Sequence, residues 1–225
     1  MRSQVESQVV IIGASGHGRV ALDLLQAAGC GMAGFIDRGM DPGSEINGAH
    51  VLAREPEECE LLGKPEVGWF VALGDNATRR SICQRIIKLT GRPPVNLIHP
   101  SAIVSPSVTL GHGVFIGPGA AVNANSSLAD GVIVNTGATL DHDAQVGAYA
   151  QISPGCHLAG NAVLGALSFL GVGCCLIPGR SVGAGAMVGA GAVVVRDIPE
   201  RVVAMGSPAR VTRQISNSDP TSAPR

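Results

Sequence analysis

An aliphatic residue recurs at every sixth position from Ile98 to Val194, and this period constrains the fold more than any other feature of the chain. An α-helix repeats every 3.6 residues and a simple strand every two, so neither explains it. A fixed short repeat of strand and turn is typical of a solenoid. The series comprises Ile98, Val104, Leu110, Ile116, Val122, Leu128, Val134, Leu140, Val146, Ile152, Leu158, Leu164, Leu170, Leu176, Val182, Val188 and Val194.

The residues around each aliphatic position predict a parallel β-helix with three flat faces. A small or β-branched side chain stands two places earlier, which lets the corner close, and Arg180 is the exception. The residue after is usually Gly, Asn, Asp, Ser or Ala, and Gly, Asn and Asp at the turns accept tight or left-handed backbone angles. Three hexads make one coil, so residues about eighteen apart should stack, with the aliphatic side chains filling the prism.

Composition excludes several classes of function. The net charge of the 225 residues is −1, so there is no electrostatic case for nucleic-acid binding. The N-terminus lacks a signal-peptide pattern, and no apolar run reaches membrane-spanning length. Six cysteines show no metal-ligand spacing, and Cys156 and Cys174 are expected to stack as core thiols. These features predict a cytoplasmic, reduced protein without a metal.

The sequence of residues 1–97, with a strand, a glycine-rich loop, a helix and a second strand near its start, predicts a small α/β domain of Rossmann-like βαβ type. The loop Gly13–Gly18 has amides and a helix N-terminus that suit an anion such as a diphosphate. Its glycines do not fit the dinucleotide fingerprint, so a tight turn without a ligand remains an alternative. Asp37 and Arg38 end the second strand, where a nucleoside would lie, although they could equally be a solvated pair.

The remaining elements follow in order along the chain. We expect strands at 8–12, 32–37 and 69–73, helices at 19–28, 55–62 and 77–89, and a loop at 39–48. Gly29 and Gly31 should end the first helix, and Pro93-Pro94 should stop the last one. The β-helix domain is assigned to residues 98–213, and residues 1–7 and 214–225 are expected to be disordered.

His142 is the side chain in the repeat best suited to chemistry. It follows the inward Leu140 by two places, and Asp141 and Asp143 flank it. A histidine suits a general base, and an adjacent carboxylate can orient its ring and favour the imidazolium. A solvated turn histidine is the alternative, because His112 occupies the equivalent place without an adjacent acid.

The combination of parts resembles one family of hexapeptide acyltransferases, which are left-handed β-helix proteins. It is similar to the nucleotide-sugar N-acetyltransferases of the bacillosamine and perosamine pathways, a family that also includes sialic-acid O-acetyltransferase-like proteins. The resemblance covers residues 8–213. Besides the order of the domains, it rests on Gly13–Gly18, Asn96–Pro100, Asn135-Thr136, Asp141–Asp143, His157–Asn161 and the segment Gly206–Arg210.

The resemblance implies site residues and partners. It implies that His142 is the catalytic base, with Asp143 raising its basicity, and that the protein is a homotrimer with acetyl-CoA between neighbouring subunits. Some relatives carry a histidine where this chain has Gln151, and an acidic residue where it has Arg38. The implied nucleotide-sugar positions are Gly13, Ser15, Gly16, His17, Asp37, Arg38 and Gly74, and the implied acetyl-CoA positions are Gln151, Gly160, Val172 and Ala190.

The resemblance therefore implies acetyl transfer from acetyl-CoA to the 4-amino group of a nucleotide-linked 4-amino-4,6-dideoxy sugar. GDP-perosamine and a UDP-linked bacillosamine precursor are the named candidates. His142 would activate the amine for direct attack, without a covalent intermediate. Two alternatives remain: a sugar O-acetyltransferase of the sialic-acid type, and a non-enzymatic scaffold that senses a nucleotide.

Overall fold

The computed structural model describes residues 8–216, which form two compact units. The first contains the described residues up to Gly74 and Thr78–Pro100, and the second contains Asp75–Ala77 and the described residues from Ser101 onward. The two helices are α1 (Gly16–Ala27) and α2 (Asn76–Thr90). The strands are β1 (Gln8–Ile12), β2 (Gly31–Ile36), β3 (Glu45–Ile46), β4 (Ala49–Ala53), β5 (Val67–Val71), β6 (Leu97–Ile98), β7 (Ile103–Val104), β8 (Thr109–Leu110), β9 (Phe115–Ile116), β10 (Ala121–Val122), β11 (Ser127–Leu128), β12 (Ile133–Val134), β13 (Thr139–Leu140), β14 (Gln145–Val146), β15 (Gln151–Ile152), β16 (His157–Leu158), β17 (Val163–Leu164), β18 (Phe169–Leu170), β19 (Cys175–Leu176), β20 (Ser181–Val182), β21 (Met187–Val188), β22 (Val193–Val194), β23 (Val202–Met205) and β24 (Arg210–Gln214).

The first unit is built on a five-stranded sheet in the order β3-β4-β2-β1-β5. β1 pairs in parallel with β2 and β5, and β2 pairs in parallel with β4. β1 and β5 are apolar and almost fully buried, as expected for central strands of a parallel sheet covered on both faces. The predicted βαβ unit is thus present, and it places the Gly13–Gly18 loop at the carboxyl end of β1.

Two glycines of this loop are fixed by close backbone approaches. Gly13 has φ +101°, and a Cβ there would lie 2.9 Å from the Ala72 carbonyl oxygen. A Cβ on Gly18 would lie 2.0 Å from the Gly13 carbonyl oxygen. Any larger residue at either position would push the first turn of α1 away from the sheet edge.

Several predicted boundaries of the first unit were wrong. α1 begins at Gly16 rather than Arg19, and Gly31 does not end it but opens β2. The segment 39–48 is not wholly loop, because Glu45–Ile46 pairs antiparallel with β4. Asn47 and Gly48 both have positive φ, which gives the hairpin turn that the Asn-Gly pair favours.

Three further elements differ from expectation. The helix predicted at 55–62 is two 3-10 turns, Pro56–Glu58 and Glu60–Gly63, because Cys59 has an extended backbone. The strand expected at 69–73 lies at Val67–Val71. At the other end of the chain, Gln214 is not disordered but ends β24. Residues 1–7 and 217–225 lie outside the described residues.

The second unit is a parallel β-helix with three sheets, which we name faces 1, 2 and 3. Face 1 runs β22-β19-β16-β13-β10-β7, and face 2 runs β20-β17-β14-β11-β8. Face 3 runs from β24 through β23, β21, β18, β15 and β12 to β9. Within β7–β22 each pair joins residues eighteen apart, as Leu140 with Leu158 shows, so the predicted stacking of three hexads per coil is confirmed. The end of face 3 departs from this register, because β21 and β23 pair residues sixteen apart and β24 pairs antiparallel with β23.

The core confirms the predicted roles of the two recurring hexad positions, the aliphatic one and the small one. From Ile116 onward the aliphatic residues are at most 3% exposed, and the small residues two places earlier line the corners. The first coil differs: Ile98 is 36% exposed, and Val104 and Leu110 are only partly buried. Cys156 and Cys174 are fully buried free thiols, and burial raises their pKa to about 11 and about 12.

Left-handed backbone angles recur at the turns, usually at Gly and also at Asn125, Asp143 and Asn161. Two turns place larger residues there, Tyr149 at φ 58° and Leu167 at φ 61°.

Neither helix in residues 8–216 has the length and apolar content needed to span a lipid bilayer.

Candidate active site

His142 lies in the turn between β13 and β14, at the edge where faces 1 and 2 meet. Its Nδ1 lies 2.7 Å from Asp143 Oδ2, and about half of each side chain is exposed. Asp143 adopts φ 59°, a left-handed angle that turns its carboxylate back toward the preceding ring. The pattern Asp-His-Asp therefore produces the contact that the sequence predicted between His142 and the following acid.

The electrostatics of the pair suit a base. The hydrogen bond that His142 donates to Asp143 raises the pKa of His142 above its ordinary value of 6.5, and the charge of Asp141 contributes. The same bond holds the pKa of Asp143 below its usual range, as does a hydrogen bond from the Asn125 side chain. With the proton held on Nδ1, the lone pair lies on Nε2, which has no hydrogen-bond partner within residues 8–216.

Gly160 lies directly beside this ring, one coil further on. A Cβ added to Gly160 would lie 2.5 Å from His142 Nε2 and 2.6 Å from its Cε1. Its carbonyl accepts a hydrogen bond from Gly179, whereas its N–H finds no acceptor in the described part of the chain. This N–H beside the imidazole is therefore a donor available to a ligand.

The other implied acetyl-CoA residues lie elsewhere on the prism. Gln151 is in β15 on face 3, opposite the edge that carries His142. Val172 and Ala190 stack at the edge between faces 3 and 1, where the Val172 carbonyl accepts the Gly191 N–H at 2.8 Å. Of the four residues, one chain therefore brings only Gly160 next to His142.

Gln151 and Val172 each have an unusual feature. The Gln151 Oε1 atom is buried without a hydrogen-bond partner among residues 8–216. The Val172 side chain is 57% exposed, which is uncommon for a valine in a structure with a continuous apolar core. Both positions would gain contacts from a ligand or a second protein surface.

A separate cleft lies in the first unit, at the carboxyl ends of β1 and β2. Its volume is about 260 Å³, and three of the implied nucleotide-sugar residues line it: Gly13, Asp37 and Arg38. Ligands of open parallel sheets bind at this edge. The other lining residues are Ile12, Ile36, Arg54, Glu55, Pro56, Leu73, Thr78 and Ile82.

Asp37 holds the glycine-rich loop. Its Oδ2 accepts the Ala14 N–H at 2.8 Å, and its Oδ1 accepts the Gly39 N–H at 2.9 Å. The carboxylate is therefore anchored by backbone groups on both sides, and each oxygen keeps a free lone pair. This loop-holding role was not part of the sequence interpretation, and the predicted contact of Asp37 with a nucleoside remains a prediction.

Arg38 is largely exposed, and its side chain belongs to an ion-pair network. Its Nε lies 2.6 Å from Glu55 Oε1, and Arg85 Nη1 lies 2.9 Å from Glu55 Oε2. These two hydrogen bonds hold the pKa of Glu55 below its usual range. Glu57 extends the network by binding Arg85.

The remaining loop positions differ in exposure. Ser15 and Gly16 are exposed at the start of α1, and Ser15 makes no side-chain capping bond. His17 is half-buried, with its ring centroid 6.5 Å from that of Phe70. Burial, together with the smaller effect of the Arg79 charge, lowers the pKa of His17 to about 4, so its imidazole is neutral at pH 7. Gly74 is exposed.

The other histidines of the β-helix have ordinary turn or strand roles. His112 donates its backbone N–H to Asp130 Oδ1 at 2.8 Å, and His157 Nδ1 lies 2.9 Å from Thr139 Oγ1. No group of three His, Cys, Asp or Glu residues within 8–216 could hold a metal ion.

Comparison with known proteins places this geometry in context. Residues 8–86 match the family described as the PglD N-terminal domain. A UDP-N-acetylbacillosamine N-acetyltransferase of Bacillus subtilis (strain 168) is 35% identical over 112 residues, which are 48% of this chain. The match spans 50% of that relative's length.

Two solved structures match nearly the whole chain. PerB from Caulobacter crescentus, solved with CoA and GDP-perosamine, is 43% identical with a TM-score of 0.83, covering 91% of this chain and 97% of PerB. The acetyltransferase domain of PglB from Neisseria gonorrhoeae FA1090, solved with acetyl-CoA, is 41% identical with a TM-score of 0.84. That match covers 92% of this chain and 99% of the domain. The chain belongs to the left-handed β-helix sugar N-acetyltransferases, the acyltransferase family of these perosamine and bacillosamine enzymes.

Proposed function

We propose that this chain transfers an acetyl group from acetyl-CoA to the 4-amino group of a nucleotide-linked 4-amino-4,6-dideoxy sugar. The observation that carries the proposal is the 2.7 Å contact between His142 Nδ1 and Asp143 Oδ2, which leaves His142 Nε2 free as a base. A GDP-linked sugar is the first candidate, since the 43% identical PerB was solved with GDP-perosamine.

The chemistry assigned to His142 follows from its surroundings. As the sugar amine attacks the acetyl carbonyl carbon, Nε2 takes the amine proton, and the carbon–sulfur bond then breaks to release CoA. Asp143 stabilises the imidazolium that forms, because its carboxylate already accepts the Nδ1 proton. No covalent bond between enzyme and acetyl group is needed.

The Gly160 N–H is the candidate oxyanion donor. It is a backbone group beside the His142 ring and lacks an acceptor within the described residues, so it is free to bind the oxygen that becomes negative during attack. Because the donor belongs to a β-helix turn closed by bonds to the adjacent coils, it requires little reorganisation when the charge develops.

The first unit is proposed to hold the nucleotide part of the substrate. The cleft lined by Gly13, Asp37 and Arg38 is at the sheet edge where nucleotides bind in related α/β folds. The backbone amides of the glycine-rich loop suit the diphosphate. Holding the sugar by its nucleotide is an orientation effect that favours attack by one amine.

The substrate assignment is tested with a panel of GDP- and UDP-linked amino sugars and their hydroxyl counterparts. We expect CoA release to be fastest with a GDP-linked 4-amino-4,6-dideoxy sugar, with an amide in the product by mass spectrometry and NMR. A faster reaction with a UDP-linked amine would reassign the nucleotide. Transfer only to hydroxyl sugars would favour the O-acetyltransferase alternative, and no transfer to any acceptor would overturn the proposal.

We also propose that the active site is assembled between copies in a homotrimer. Within one chain, His142 lies on the edge opposite face 3, whereas Gln151 is on that face and Val172 lies at its border. A neighbouring copy would bring the missing surface to His142, and cyclic closure with three copies suits a three-sided prism. The outward residues of face 3 are mostly buried within the chain, so the exposed Ile103, Val163, Val172 and Ile177 are the apolar candidates for contact.

Mixing two defective chains tests this arrangement. We expect His142→Asn and Val172→Asp chains to be poorly active alone and to recover activity when co-expressed. In a mixed trimer, a cleft can combine the intact His142 of one chain with the intact Val172 of its neighbour. Light scattering on each variant controls for assembly. A mixture of correctly assembled trimers without recovered activity, or a fully active monomer, would contradict a shared site.

A further inference from the structure

The turn that carries His142 is closed differently from many turns of the β-helix. In several other corners the fourth residue donates its N–H directly to the carbonyl of the first, as Ala138 does to Asn135 at 3.1 Å and Ala150 to Gly147 at 3.2 Å. In the turn Asp141–Ala144 this direct bond is not formed, and the turns Ala159–Ala162 and Ile177–Arg180 at the same edge of the described β-helix lack it too.

A buried hydroxyl from the preceding coil takes its place. Ser126 Oγ accepts the Ala144 N–H at 3.2 Å and donates to the Asp141 carbonyl at 3.1 Å. The hydroxyl therefore bridges the two ends of the turn. Ser126 is fully buried, eighteen residues before Ala144, at the small-residue position of its own hexad.

A second contact from the same coil holds the start of the turn. Asn123 Nδ2 donates to Asp141 Oδ1 at 3.3 Å, and the same oxygen accepts the His142 N–H at 2.8 Å. The backbone on both sides of His142 is thus fixed by polar side chains of the coil below it. Neither Ser126 nor Asn123 contacts the imidazole, so both act through the turn.

We infer that Ser126 is a positioning residue for the active site, whose hydroxyl sets the geometry of the Asp141–Ala144 turn and so aligns the His142 and Asp143 side chains. This inference rests on the proposed role of His142 as the base. Without the hydroxyl, the Ala144 N–H loses its acceptor and the Asp141 carbonyl loses its donor, so the two ends of the turn are no longer joined. The turn then gains freedom to move, and the His142 side chain that it carries is less well aligned.

The chain offers a matched pair of substitutions. Ala occupies the same hexad position in many coils, among them at Ala144 and Ala162, so Ser126→Ala fits the corner. Ser168 occupies that position too and is equally buried, but its Oγ has no hydrogen-bond partner within residues 8–216. Ser168→Ala therefore removes the same atom from the same environment without touching a bridged turn.

The test compares the two variants by kinetics and by NMR of the six histidines in the full-length protein. For Ser126→Ala we expect kcat to fall about tenfold to a hundredfold, as for a base displaced by a fraction of an ångström, with the KM for acetyl-CoA unchanged. The His142 titration, assigned with His142→Asn, should move toward the ordinary histidine value as its contact with Asp143 loosens. Ser168→Ala should leave kcat and this titration as they are.

The outcomes separate this inference from the proposed function. A Ser126→Ala protein with unchanged kcat and an unchanged His142 titration would overturn the positioning role, as would equal losses in both serine variants. If the wild-type protein transfers no acetyl group to any acceptor, the proposed function fails. The His142 titration in the two variants would still decide whether Ser126 fixes the turn.

Discussion

Replacing His142 by Asn is expected to lower kcat about a thousandfold, which is the range of a general base. Asn keeps a polar side chain of similar reach but cannot take a proton at neutral pH, so the amine would have to lose its proton to water. Acetyl-CoA should still bind, since no part of the substitution changes Gln151, Val172 or Ala190. The measurement is steady-state CoA release together with calorimetric binding of acetyl-CoA.

Asp143→Asn serves as the control for the mechanism of His142. The hydrogen bond that the Asp143 carboxylate accepts from His142 raises the pKa of His142, so removing the carboxylate should lower that pKa. Since the base must be unprotonated to act, the acid limb of the kcat/KM profile should then move to lower pH, with a reduced plateau. Near-normal turnover in His142→Asn, or an acid limb that stays in place in Asp143→Asn, would argue against the assigned roles.

Gly160→Ala is expected to reduce kcat about a hundredfold while the protein remains folded. The new methyl group would lie 2.5 Å from His142 Nε2, so the imidazole must rotate away from its place beside the Gly160 N–H. Gly160 has no left-handed φ, so the substitution introduces no backbone strain of its own. Circular dichroism and thermal unfolding should therefore resemble the wild type.

The double variant shows whether this methyl group acts through the ring. Adding Gly160→Ala to His142→Asn should cause little further loss, because the base that the methyl group displaces is already gone. Losses that multiply would instead indicate an independent effect, such as blocked access of the thioester to this turn. A Gly160→Ala enzyme with unchanged kcat would show that the ring does not need its observed position.

The sequence predicted the β-helix well because its physical cause is local and periodic. Each hexad carries its own inward aliphatic residue and its own corner residue, so the pattern from Val122 to Val194 could be interpreted without knowing any distant contact. The exposed Ile98 is the exception, because a residue at the start of a solenoid lacks a complete coil on one side. Tyr149 and Leu167 were not expected at left-handed turn positions, which sequence reasoning reserves for Gly, Asn and Asp.

The first unit was harder to predict because its short elements depend on tertiary contacts. The β3–β4 hairpin was missed although Asn47-Gly48 is a hairpin signal, since β3 has only two residues. In the candidate site, the pairing of His142 with Asp143 followed from adjacency. The Ser126 bridge and the Asn125 hydrogen bond join residues of successive coils, and only the register of stacking reveals them.

The stacking of the coils also restricts how the length of this domain can change. Removing six residues between two turns would carry everything after the deletion one third of the way round the axis, so that a side chain from one face would emerge on the next. Removing eighteen residues would leave every side chain on its original face and would only shorten the β-helix by one coil. Insertions or deletions that leave the candidate active site intact should therefore comprise whole coils of the β-helix. Otherwise they should form loops that begin and end at a single corner.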